Sequence, residues 1–121
     1  MPVEKAKKLF LGIDCKNQNC YLSVVHAFQH QVMLHQEDLQ KGLKFSAGRA
    51  PDGLCGAVYA VKKMLEMHHI SDSFQHFADY FIQNYGALKC KEIRSLKKIP
   101  CVKCVEEAAK YLEANLKPGN L

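Results

Sequence analysis

The sequence predicts an all-α protein, a single helical domain over residues 1–121 folded as a compact bundle of five to seven helices. Apolar residues recur at intervals of three and four along most of the chain, which is the period of one helix face. No stretch sustains the alternation of apolar and polar residues that a half-buried strand requires. The chain shows neither an internal repeat nor a linker. With 121 residues, 48% of them hydrophobic, it can bury roughly two-thirds of its unfolded surface. A core of that size does not need disulfide staples.

The elements follow in order. Val3, Ala6, Phe10 and Leu11 mark a first helix, which Gly12 ends. After the polar stretch 14–18, Asn19 caps a second helix with Leu22, Val25, Phe28 and Val32 on its apolar face. A shorter amphipathic piece runs from Gln36 to about Phe45. Residues 46–53 are rich in turn formers and lead into a helix striped by Leu54, Ala57, Val58, Val61, Met64 and Leu65, ending near His68 and His69. Asp52 is its expected cap. Ser71 or Asp72 is expected to cap the next helix, which carries Phe74, Phe77, Ala78, Phe81, Ile82 and Tyr85 and stops at Gly86. A short helix spans Cys90 to Leu96. Pro100 suits the start of the last one, where its missing N–H costs nothing; Val102, Val105, Ala108, Ala109, Leu112 and Leu116 form its apolar face.

Composition narrows the function. The net charge of +5 comes mainly from lysines, and solvated helix faces account for it. There are two arginines, Arg49 and Arg94, no Trp and no reader motif, so nucleic acid is not an expected partner. No run approaches the ~20 apolar residues needed to span a bilayer, and residues 9–13 are too short an apolar run for a secretory signal. The expected setting is the cytoplasm, where thiols are normally reduced unless they turn over.

Six cysteines stand out against that background. Cys20 follows Asn19, Cys55 follows a Pro-Asp-Gly turn, Cys90 follows Tyr85 and Gly86, and Cys101 follows Pro100, so each falls at or near an expected helix start. Unpaired N–H groups and the positive end of the helix dipole there favour the thiolate, the form that attacks disulfides and binds metals. The lysines and arginine around Cys90 and Cys101 push the same way, whereas Glu106 and Glu107 are expected to oppose ionisation of Cys101. Buried cysteines that merely pack are the competing account.

The ordered set is Asn19-Cys20 opening a helix, Gly53-Leu54-Cys55-Gly56-Ala57-Val58-Tyr59-Ala60, Tyr85-Gly86-Ala87-Leu88-Lys89-Cys90, and Cys101 followed by Val105-Glu106-Glu107-Ala108-Ala109. It resembles the C-GCAxxG-C-C family of redox-active proteins over about residues 9–116. The resemblance implies that Cys20, Cys55, Cys90 and Cys101 are the functional cysteines. Two departures are visible: Ala60 replaces the last glycine of the motif, and the segment before Cys55 is less glycine-rich than the family usually shows.

Two chemistries remain open for these four residues. In one, a pair cycles between dithiol and disulfide, exchanging with a redox partner protein or a small thiol, so that the protein acts as a thiol or electron relay. Cys55 is then the preferred reactive thiol, because Gly56 and Ala57 beside it leave room for a partner. In the other, the same cysteines hold zinc or an iron–sulfur cluster; their separations of 35 positions, from Cys20 to Cys55 and from Cys55 to Cys90, fit either. A third possibility is a non-catalytic helical interaction module. Cys101 and Cys104 form a Cys-x-x-Cys that puts two sulfurs on one helix face, although the thioredoxin form of that motif expects a βαβ unit. Cys15 and Cys104 are accessory candidates, as is Gly56. His26 and His30 have metal-ligand spacing without the glutamate of a zinc protease, and are expected to be exposed on the helix flank.

Overall fold

The computed structural model describes residues 2–12, 19–28, 50–67 and 70–115. Among these, six α-helices form the protein: α1 (Pro2–Leu11), α2 (Cys20–Ala27), α3 (Gly56–Met67), α4 (Phe74–Tyr85), α5 (Cys90–Leu96) and α6 (Cys101–Asn115). No strand occurs among the described residues; one isolated antiparallel bridge joins Leu54 to Lys89. The all-α expectation holds. The amphipathic piece expected over 36–45, together with Cys15, His30, His68, His69 and Leu116, lies outside the described residues.

A helix that is apolar around its whole circumference must be covered on all sides. In α2 the residues Tyr21, Leu22, Ser23, Val24 and Val25 are consecutive and all buried. The bundle answers that demand by packing α2 against α1, α3 and α6. The Asn19 side chain caps α2 by accepting from the Leu22 N–H at 2.8 Å, as expected. The described helix is capped at Phe28; Val32 lies outside the described residues. In α3 the stripe Ala57, Val58, Ala60, Val61, Met64 and Leu65 is fully buried. Phe77 on α4 is shut off from solvent and meets Phe81 at 5.6 Å and Tyr111 of α6 at 5.1 Å between ring centroids. No helix among the described residues is long and apolar enough to cross a membrane.

Two expected caps are replaced. Asp52 sits exposed in the 3-10 turn Pro51–Gly53 with a left-handed backbone (φ 61), and Cys55 is the residue that precedes α3, its carbonyl accepting the Tyr59 N–H at 2.9 Å. Consecutive left-handed residues, Asp52 and Gly53, turn the chain too tightly for the aspartate to stay beside the helix start. Neither Ser71 nor Asp72 caps α4; the helix is entered through the 3-10 turn Ser71–Ser73, and Ser73 occupies the cap position without a side-chain bond. The Ser73 carbonyl instead accepts the Tyr111 hydroxyl at 2.7 Å, tying that turn to α6. Gly86, in the left-handed conformation (φ 89), closes α4 as expected.

Candidate functional site

Three further features bring the cysteines together. The Cys55 N–H donates to the Leu88 carbonyl at 2.9 Å, which lays the start of α3 alongside the start of α5. Gly56 lets α2 and α3 approach closely: a Cβ there would lie 2.9 Å from the Tyr21 nitrogen and 3.1 Å from the Cys20 Cβ. The open side of Gly56 is therefore filled by α2 instead of being left for a partner. Pro100 accepts the Cys104 N–H at 3.1 Å and so starts α6 at Cys101. Cys20, Cys90 and Cys101 are the first residues of α2, α5 and α6, and Cys55 immediately precedes α3. Four helix starts thus carry the four signature cysteines.

The thiols act on one another's ionisation, Cys20 with Cys101 and Cys55, and Cys55 with Cys104. None of the five described cysteines is disulfide-bonded. Their access differs: Cys20 and Cys101 are partly exposed, whereas Cys55 is 5% and Cys104 1% exposed. Cys90 feels the charge of Cys55 and Cys101.

Proton affinity alternates among them. Hydrogen bonding to Cys101 and Cys55, and then burial, hold Cys20 protonated, far above its ordinary 9.0. Cys101 is its acceptor: the Cys20 hydrogen bond and the Arg94 guanidinium lower it to about 6, against partial burial. Cys104 is likewise raised, first by its hydrogen bond to Cys55 and then by burial. Cys55 is lowered by hydrogen bonds from Cys104 and Cys20, against burial, with the N–H groups of Val58 and Ala57 adding to the effect. Cys90 is raised, chiefly by burial and partly offset by Arg94. A thiolate that accepts hydrogen bonds from a neighbouring thiol and a guanidinium is stabilised over its neutral form.

The expectation that Glu106 and Glu107 oppose the Cys101 thiolate is corrected by their partners. Glu106 is held by Lys103 at 2.6 Å and Lys7 at 3.3 Å. Glu107 accepts the Tyr80 hydroxyl at 2.9 Å. Both carboxylates are thus engaged with α1, α4 and Lys103, and Cys101 is governed by Cys20, burial and Arg94. The largest single influence on the ionisation of Cys101 is Cys20 on α2, and on that of Cys104 it is Cys55. His26 is half-buried, not exposed; burial and nearby Lys5 lower its pKa.

The chain matches, over residues 18–115, the family model described as "Putative redox-active protein (C_GCAxxG_C_C)". The chain belongs to the C_GCAxxG_C_C family. No curated protein and no solved structure matches it significantly. The matched span takes in the five described cysteines and all of α2 to α6. Where the family motif closes on glycine, the Ala60 methyl is fully buried in α3, so this chain fills that position with core packing and keeps the close approach at Gly56.

Arg94 is the site residue that the sequence reading did not single out from the basic run. It stands at i+4 from Cys90 on α5, a spacing that puts two side chains on one helix face. Among the described residues, no group of three or more His, Cys, Asp or Glu side chains is arranged to hold a metal ion.

Proposed function

We propose that this protein is a thiol–disulfide redox protein in which Cys101 attacks and Cys20 resolves. The observation that carries the reading is Cys101 itself, partly exposed as the first residue of α6, with Cys20 and Arg94 lowering its pKa to about 6. The Cys101 thiolate attacks a substrate disulfide, forming a mixed disulfide and expelling one substrate thiolate. Cys20 then loses its proton and attacks the Cys101 sulfur, which closes a Cys20–Cys101 disulfide and releases the second substrate thiolate. The substrate gains two electrons and the protein loses two; an external dithiol reverses the cycle. The released Cys20 proton goes to a departing thiolate. The substrate class is a disulfide on a redox partner protein or a small thiol, and the setting is the cytoplasm, whose reducing poise returns the pair to dithiol.

Arg94 helps keep Cys101 ionised. Cys90 shares the Arg94 charge but is raised by burial, so it ranks behind Cys101 as nucleophile. The test is anaerobic purification of the full chain, metal analysis, and a thiol count with peptide mapping before and after mild oxidation. A metal-free protein that loses two thiols, mapped to Cys20 and Cys101, supports the reading. Stoichiometric zinc or iron with protected thiols, or six thiols that never pair, contradicts it.

A further inference from the structure

Around α5 the chain concentrates its charge. Residues 89–98 hold five cations, Lys89, Lys91, Arg94, Lys97 and Lys98, against a single acid, Glu92, so this segment carries +4 of the chain's +5. All five cations are exposed, and among the described residues no carboxylate pairs with any of them. The protein's own acids therefore leave this face unneutralised.

The fold sets that charge beside two partly exposed cysteines. Ile93 is the buried residue of α5, and Arg94 stands one helical turn from both Cys90 and Lys91, at i+4 and i+3. After α5, Lys97 takes a left-handed backbone (φ 54) and its N–H returns to the Ile93 carbonyl at 3.3 Å. That turn leads Lys98 through Pro100 to Cys101 at the start of α6. Leu96 adds an apolar element to the basic face, being 44% exposed. It lies over Gly86, where a Cβ would come 2.8 Å from the Leu96 Cδ1 and 3.9 Å from the Lys98 Nζ. An exposed leucine and a lysine head thus meet at the end of α4. An apolar side chain rimmed by charges of one sign suits a protein partner of the opposite sign.

We infer that the α5 face, Lys89, Lys91, Lys97 and Lys98 together with Leu96, docks a partner protein whose redox disulfide is bordered by aspartate and glutamate. This rests on the dithiol cycle proposed above and names the class of its substrate, a protein disulfide in acidic surroundings. A small disulfide offers nothing to cover Leu96. Nucleic acid fits less well, since residues 89–98 contain one arginine and no aromatic side chain on which a base could stack. Opposite charge speeds encounter and fixes the orientation in which the partner's disulfide meets Cys101, and the bond exchange itself stays as written above.

The test uses two disulfide-bonded peptides that differ only in the residues flanking the disulfide, glutamates in one and lysines in the other. Each is mixed with the reduced full chain in about 0.01 M and about 1 M salt, and Cys20–Cys101 formation is followed by acid quench, alkylation and peptide mapping. At low salt the acidic peptide is expected to oxidise the pair at least about tenfold faster than the basic one, and at high salt the two rates are expected to converge. Neutralising the face with Lys89→Gln, Lys91→Gln and Lys98→Gln together is expected to cut that ratio at least about threefold. Because the ratio is the readout, any change in the intrinsic reactivity of Cys101 cancels. A version of the acidic peptide with serine for cysteine, which cannot exchange, is expected to bind the protein in fluorescence anisotropy and to bind Leu96→Ser more weakly. Equal rates for the two peptides at low salt, with the pair still oxidised, overturn the docking face and leave the dithiol cycle standing. Failure of both peptides to oxidise the pair, although the serine peptide binds, overturns the cycle and supports the acid-binding face alone. Tighter binding of a short DNA duplex than of the serine peptide in about 0.1 M salt assigns the face to nucleic acid and overturns the inference. The salt dependence of the unaltered protein decides the matter even if a variant fails to fold.

Discussion

At the scale of single residues, the behaviour of Cys101 is set by what hydrogen-bonds to its sulfur. Its ordinary pKa of 9.0 is lowered to about 6 by Cys20 first, with Arg94 adding through a hydrogen bond and its charge. The sign is direct: a lowered pKa means the thiolate is present above about pH 6, so alkylation of Cys101 by iodoacetamide is expected to rise with pH around a midpoint near 6 and level off by neutral pH. An unperturbed thiol would still be gaining reactivity near pH 9. Cys20→Ala and Arg94→Ala are each expected to move that midpoint upward, and Arg94→Lys to restore part of the shift, because the charge remains while the planar hydrogen-bonding fork is lost. A midpoint unchanged in both alanine variants would show that neither residue sets the ionisation. The sequence marked Cys20, Cys55, Cys90 and Cys101 through their helix-start positions, since the local turn chemistry of Asn19, Gly53, Gly86 and Pro100 is written in adjacent residues. It could not single out Arg94 or assign Cys104 to Cys55, because both depend on the angle at which α5 and α6 meet α3.

At the scale of elements, the site depends on how closely α2 and α3 can pack. Gly56→Ala would place a Cβ 2.9 Å from the Tyr21 backbone nitrogen, a contact that only a backbone shift relieves. Overpacking of this kind typically costs about 1–3 kcal/mol, and here it also moves Cys20 away from Cys55. Denaturant unfolding is expected to show that loss, with slower disulfide formation at the same concentration of oxidant. Asn19→Ala removes the cap bond to the Leu22 N–H and is expected to cost about 1 kcal/mol, read in the same assay. The helices themselves were legible because their apolar stripes repeat at helical period, as in Ala57, Val58, Val61, Met64 and Leu65. The caps were less legible: a Pro-Asp-Gly turn looks like a helix entry, but its two left-handed residues hand that position to Cys55, and a 3-10 turn replaces the expected serine or aspartate cap of α4.

At the scale of the molecule, a shared core fixes the directions from which the thiols converge. Phe77 is packed among Phe81, Phe74 and Tyr111, and Phe77→Ala is expected to lower stability by about 3–5 kcal/mol in denaturant unfolding. A loss below about 1 kcal/mol would mean that α4 does not rest on α6 as described. Lys7, Lys103 and Glu106 link α1 to α6 at the surface, a linkage that contributes little on its own but keeps Glu106 occupied. An all-α bundle was readable from pattern alone; the meeting of α2, α3, α5 and α6 at one end was not, because long-range packing leaves no local signal in the sequence.

The central claim is that Cys20 and Cys101 act as one redox pair. The most direct measurement is an equilibrium titration of the full chain in mixtures of reduced and oxidised glutathione, trapped by acid, alkylated and mapped by peptide mass. Cys20 and Cys101 are expected to lose their alkylation together, in a two-electron transition, with a linked peptide joining them. Both residues remaining fully alkylated across the titration, or each carrying only glutathione with no link between them, would contradict the account.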